Sequence, residues 1–88
     1  MLKNKILQLL NSNINIYKIS IDDLSQKHVN HNKSSNGGHF KIHIISNDFM
    51  NLSLLNRHKM IYSILDNMLK DEIHALSMKT QTIKEYEK

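Results

Sequence analysis

Residues 56–78 read NRHKMIYSILDNMLKDEIHALSM, and two periods meet inside them. Ile61, Ile64, Leu65 and Met68 recur at intervals of three and four, the spacing that lines one side of a helix. Asp71-Glu72 closes that pattern, and Ile73 to Met78 follows as a short strand. Upstream, the helical region starts between Phe49 and Leu55, with Ser53 as one possible cap, and its length leaves room for a division into two helices. Before it, Asn47-Asp48 ends a segment from His39 to Ser46 that alternates as a strand does. Phe40, Ile42 and Ile44 fall on one face; Lys41, His43 and Ile45 fall on the other.

Further toward the N-terminus, Leu2, Ile6, Leu9 and Leu10 share a helical face opposite Lys3, Asn4 and Gln8, and Asn11-Ser12-Asn13 ends that helix. Ile14 to Ile21 is β-branched with rough alternation and reads as a first strand. Residues 22–38 are polar and hold both glycines, Gly37 and Gly38; a loop of that length is uncommon in a compact domain and often functional. The order is α-β-β-α(α)-β. It predicts an α+β two-layer sandwich, a three-stranded sheet with helices on one face, as a single domain over residues 1–88.

At 88 residues the chain has room for one small core. A domain of this size hides only about 60–65% of its unfolded surface, which disfavours a deep substrate pocket. No apolar run reaches the roughly 18 residues of a membrane span, so a soluble, cytoplasmic protein with no membrane partner is expected. The net charge of +4 comes from 12 basic and 8 acidic residues, and Arg57 is the only arginine among the former. Abundant lysine, asparagine and isoleucine are what an AT-rich coding sequence produces, so the charge speaks first to solubility.

There is no cysteine, hence neither a disulfide nor a thiolate for metal or nucleophilic chemistry, but there are six histidines. None of their spacings matches a zinc motif on a helix: His28 and His31 lie in the polar loop, and His39 and His43, four apart on a strand, stand about 13 Å from each other. Asp22-Asp23 are adjacent at a strand end and point to opposite sides, so they cannot flank one bond. No phosphate-cradling glycine loop is present. The chain is not expected to be an enzyme. Arg57 has two readings, a bidentate contact to an outside carboxylate or phosphate, or an internal ion pair with Asp48, Asp66 or a carboxylate of another element. His58 reads as a hydrogen-bonded packing residue of the helix.

In order, the Gly38–Ser46 strand, Phe49, Arg57-His58-Lys59 at a helix start and Ile73-His74-Ala75-Leu76 closely resemble the BolA family, and the likeness continues through Thr82–Glu87. The resemblance implies a KH-like sheet with two consecutive helices before the last strand. It implies that His74 is an iron ligand in a [2Fe–2S] cluster shared with a monothiol glutaredoxin, which contributes a cysteine and bound glutathione; alone, the chain would hold no cofactor. A second ligand comes from the polar loop: counting from Asp23-Leu24-Ser25 gives His28, with His31 as the alternative. Exchange of thiolate for neutral imidazole would raise the cluster's potential. Where the family usually has glycine two residues after the Phe, this chain has Asn51, the next best residue for a left-handed backbone. Without the cluster the chain would be a monomer or a weak homodimer. The rival implication is a DNA-binding transcriptional regulator acting through a helix-turn-helix-like segment, Phe49–Leu69, with Arg57, His58 and Lys59 in contact. Against it, Gly37-Gly38 is not the Gly-x-x-Gly clamp of KH domains, and Arg57, Lys59 and Lys70 are balanced by Asp66, Asp71 and Glu72.

Overall fold

The computed structural model describes residues 2–25 and 38–88. Helix α1, Leu2–Asn13, buries Ile6 and Leu10 completely. Its end is closed by two side chains that bond back to the last turn, Ser12 Oγ to the Gln8 carbonyl and Asn13 Nδ2 to the Leu9 carbonyl. The first strand, β1, runs from Lys18 to Asp23 and starts later than the apolar pattern from Ile14 suggests. The reason is local: the Ile14 N–H still donates to the Leu10 carbonyl, and the Asn15 N–H is taken by Asp48 Oδ2. Ile14 and Ile16 are apolar because they pack on the core, not because they pair.

Strand β2, Gly38–Ile45, is central. It pairs antiparallel with β1, Ile19 beside Ile44 and Ile21 beside Ile42, and parallel with β3, Ile73–Gln81. Phe40, Ile42 and Ile44 face inward as expected and meet Ile6, Leu10, Phe49, Ile61, Leu65 and Met68. Gly38 is required here: a Cβ would lie 2.3 Å from Phe40 Cε2, and that ring, 2% exposed, has nowhere to go.

Buried Ser46 ends β2. Its hydroxyl donates to the Asn15 carbonyl at 2.6 Å and accepts from the Asp48 N–H, which starts a 3₁₀ turn, Asn47–Phe49. Asn51 then takes φ 66°, the left-handed conformation expected for it. Helix α2, Leu54–Ile64, is capped by Ser53, and a break at Leu65 separates it from α3, Asp66–Asp71. The helical region is therefore split, and Ile61, Leu65 and Met68 bind both halves to the core.

Two features exceed the sequence reading. Strand β3 continues through Lys79, Thr80 and Gln81, whose polarity hid an intact alternation: Thr80, beside Ile44, is buried, while Lys79 is exposed. A short helix α4, Ile83–Glu87, follows, its start fixed by a capping box between Thr82 and Glu85. Helices α1 to α3 form the layer over the inner face. Tyr86 of α4 instead meets Lys18 and His43, which belong to the outer face. No helix among the described residues is long and apolar enough to cross a membrane.

Candidate functional site

A β-bulge builds the end of the sheet where the site lies. Gly38 pairs with Ile73, but His39 pairs with Ala75, so His74 and Ala75 together stand opposite one residue of β2. The bulge breaks the alternation. Ile73 is buried in the core, and the next two residues, His74 and Ala75, are both exposed. The Gly38 N–H donates to the Glu72 carbonyl, and Lys5 holds the Glu72 carboxylate at 2.8 Å; both anchor the approach to the bulge.

His74 is stacked on His39, with ring centroids 5.2 Å apart and planes 23° from parallel. His39 is held through its backbone: its N–H donates to Ser25 Oγ, and its carbonyl accepts from the Leu24 N–H at 2.7 Å. Asp23 Oδ1 accepts from the Ser25 N–H, and hydrogen bonding to Ser25 holds the Asp23 carboxyl below its usual range. Ser25 and Gly38, the described residues that flank segment 26–37, therefore both lie at this end of the sheet. His28 and His31 fall outside the described residues. The sequence reading weighed His39 only against His43 and did not join it to His74; its position immediately before Phe40 in an alternating strand, on the face opposite the core, was the available signal.

Two adjacent imidazoles offer two nitrogen donors. Among the described residues no group of three His, Cys, Asp or Glu side chains could hold a metal ion. With no cysteine in the chain, this donor set does not close a site by itself. A metal centre at this position would need its remaining ligands from another molecule.

Arg57 lies elsewhere and points inward, and it forms the internal ion pair with a carboxylate of another element. It is 6% exposed. Nε donates to the Leu52 carbonyl, one terminal nitrogen to the Thr80 carbonyl and Glu85 Oε1, and the other to Glu85 Oε2. Four of its five N–H groups are thus committed inside the chain. The Arg57 guanidinium, followed by the Thr82 N–H, lowers the Glu85 carboxyl from 4.5 to about 2. His58 is half-buried and Lys59 exposed on the same helix. The structure thus separates the predicted residues: His74 pairs with His39, and Arg57 is drawn away from the surface that Lys59 occupies. Glu85, its partner, was missed; Thr82-Ile83-Lys84-Glu85, a capping-box sequence, signalled a helix start there.

A profile of the family described as BolA-like protein matches residues 10–85. An uncharacterised protein of Buchnera aphidicola from the pea aphid Acyrthosiphon pisum is 43% identical over 82 residues, 93% of this chain and 77% of that one. The DNA-binding transcriptional regulator BolA of Escherichia coli is 49% identical over 49 residues, which cover 56% of this chain and 47% of the regulator. Among solved structures, the BolA domain of SufE1 from Arabidopsis thaliana is 32% identical with a TM-score of 0.81, over 93% of this chain and 92% of that domain.

Proposed function

This chain belongs to the BolA-like protein family, and we propose that it is an adaptor completing a [2Fe–2S] cluster with a monothiol glutaredoxin. The observation that carries this reading is His74, turned out of the sheet by a bulge and left exposed beside a second imidazole in a chain with no thiolate. A ligand for a cluster on a partner must be accessible and held by rigid structure; a strand residue at a bulge meets both needs. The thiolates belong to the glutaredoxin and its glutathione. His28, three residues beyond Ser25 in sequence, is the second ligand this reading takes. His31 and His39 are the alternatives for the second position. Such a cluster would supply one-electron chemistry and exchangeable iron and sulfide, and imidazole from this chain in place of thiolate would raise its potential relative to four thiolates. The role that follows is cluster trafficking or iron and redox sensing, without catalysis by the chain.

The test is anaerobic reconstitution with a monothiol glutaredoxin, glutathione, iron and sulfide, followed by visible absorption and circular dichroism. A heterodimer spectrum distinct from glutaredoxin alone is expected, and His74→Ala should abolish it. His28→Ala, His31→Ala and His39→Ala identify the second ligand by which one changes the spectrum. A glutaredoxin spectrum that the chain leaves unchanged would sink the reading.

The second reading is a DNA-binding regulator, favoured by the name of the Escherichia coli relative. Its expected route, segment Phe49–Leu69, is poorly equipped. Arg57 is committed inside, Lys70 is paired with Asp66, and the first turn of α2 presents Leu54 and Leu55, each 63% exposed, where a recognition helix needs polar contacts. Lys59 is the cation that remains.

A further inference from the structure

The outer face of the sheet has a charge pattern of its own. Register sets Lys18 beside Ile45, Ser20 beside His43 and Asp22 beside Lys41; across β2, His43 adjoins Lys79 and Lys41 adjoins Ser77. Alternation therefore sends Lys18, Lys41 and Lys79 to this face, and Asp22 is the one carboxylate that the strands add to it. Asp48, Asp66 and Asp71 lie on the 3₁₀ turn and α3, and Glu72 lies between α3 and β3, all outside the sheet; Glu85, paired with Arg57, and Glu87 belong to α4, whose Tyr86 meets this face. The ion pairs among the described residues are Lys5–Glu72, Arg57–Glu85 and Lys70–Asp66, so the exposed Lys41 and Lys79 enter none of them, although Asp22 stands directly across from Lys41. They are separated by one strand and two residues, roughly 8 Å.

Rings flank these cations. The His39–His74 stack stands at the bulge end, and Tyr86 stands at the other, 38% exposed, its hydroxyl accepting from Lys18 at 3.2 Å and its ring 6.0 Å from that of His43. Spaced ammonium groups between planar rings match a chain of phosphates bearing bases. A three-stranded face is broader than the helix or two-stranded ribbon that a duplex groove admits, so the matching polyanion is single-stranded.

We propose that the outer face of the sheet binds single-stranded nucleic acid, with Lys18, Lys41 and Lys79 on phosphates and the rings of His74 and Tyr86 under bases. This goes beyond the adaptor reading and does not rest on it. It also places nucleic-acid contact on a different surface from Phe49–Leu69.

The test is fluorescence anisotropy with labelled oligothymidylate, oligouridylate and a duplex of equal length, at several salt concentrations. Three lysines on phosphates give a slope of log affinity against log salt of about −2 for a single strand. Lys41→Gln with Lys79→Gln should lower affinity about tenfold or more and reduce the slope to about −0.7, while Lys59→Gln changes neither. Thermal melting checks that these surface variants remain folded. Binding of either single strand above the duplex with that pattern supports the proposal, and the two sugars report whether the strand is DNA or RNA. Absence of single-strand binding at low salt, preference for the duplex, or loss with Lys59→Gln and not with the outer pair overturns it. Neither substitution touches His74, so a failed cluster reconstitution leaves this result readable.

Discussion

Arg57 shows how one side chain can be identified by chemistry while its partner stays open until the fold is known. Its uniqueness among the basic residues marked it as a bidentate partner, and it is one, but the carboxylate is Glu85 of its own chain, 28 residues away. Arg57→Ala strips the Leu52 and Thr80 carbonyls of donors and should cost about 2 kcal/mol. In a domain of this length that lowers the melting temperature by about 10 °C, read by circular dichroism. Glu85 adds a pH signature. Its carboxyl is depressed in the fold, so the stability it contributes is complete above its ordinary value of 4.5 and is lost as pH falls toward about 2. Denaturant titrations across that window should show an acid limb that Glu85→Gln flattens. His74 is the converse case: its type and motif were legible in the chain, whereas its outward direction depends on a bulge that the periodicity of β3 could not reveal.

At the scale of elements, the legible parts were those with local causes. Ser53 caps α2 because its side chain accepts the Asn56 N–H three residues on, and Asn51 takes a left-handed turn because its own backbone tolerates it. Helix α4 had an equally local cause, Thr82 and Glu85 bonding reciprocally, yet it lacks the apolar stripe by which helices are usually found. That box also aims Glu85 at Arg57. Thr82→Ala should therefore cost about 1 kcal/mol in chemical denaturation, the ordinary value of a lost cap. In the Arg57→Ala background the cost should be smaller, because the two share one carboxylate. A fully additive double mutant would separate the cap from the ion pair.

For the whole molecule, the core is one layer thick between the sheet and α1 to α3, and Ile42 sits at its centre, completely buried on the central strand. Ile42→Ala should cost about 2–5 kcal/mol, a large share of the 5–15 kcal/mol that small domains possess, and equilibrium unfolding should show a partly unfolded population in water. Because core and outer face are opposite sides of the same strands, the residues offered to partners can vary while the fold stands. The chain alone settled the order of helices and strands as far as β3, the inward set Phe40, Ile42 and Ile44, and the lack of thiolates, since spacing and side-chain chemistry act over a few residues. Packing in three dimensions settled the rest: which carboxylate holds Arg57, that His39 stacks on His74, how far β3 runs, and that three lysines share one face. Those relations join residues far apart in the chain, and they follow from strand register and burial, which no local pattern contains.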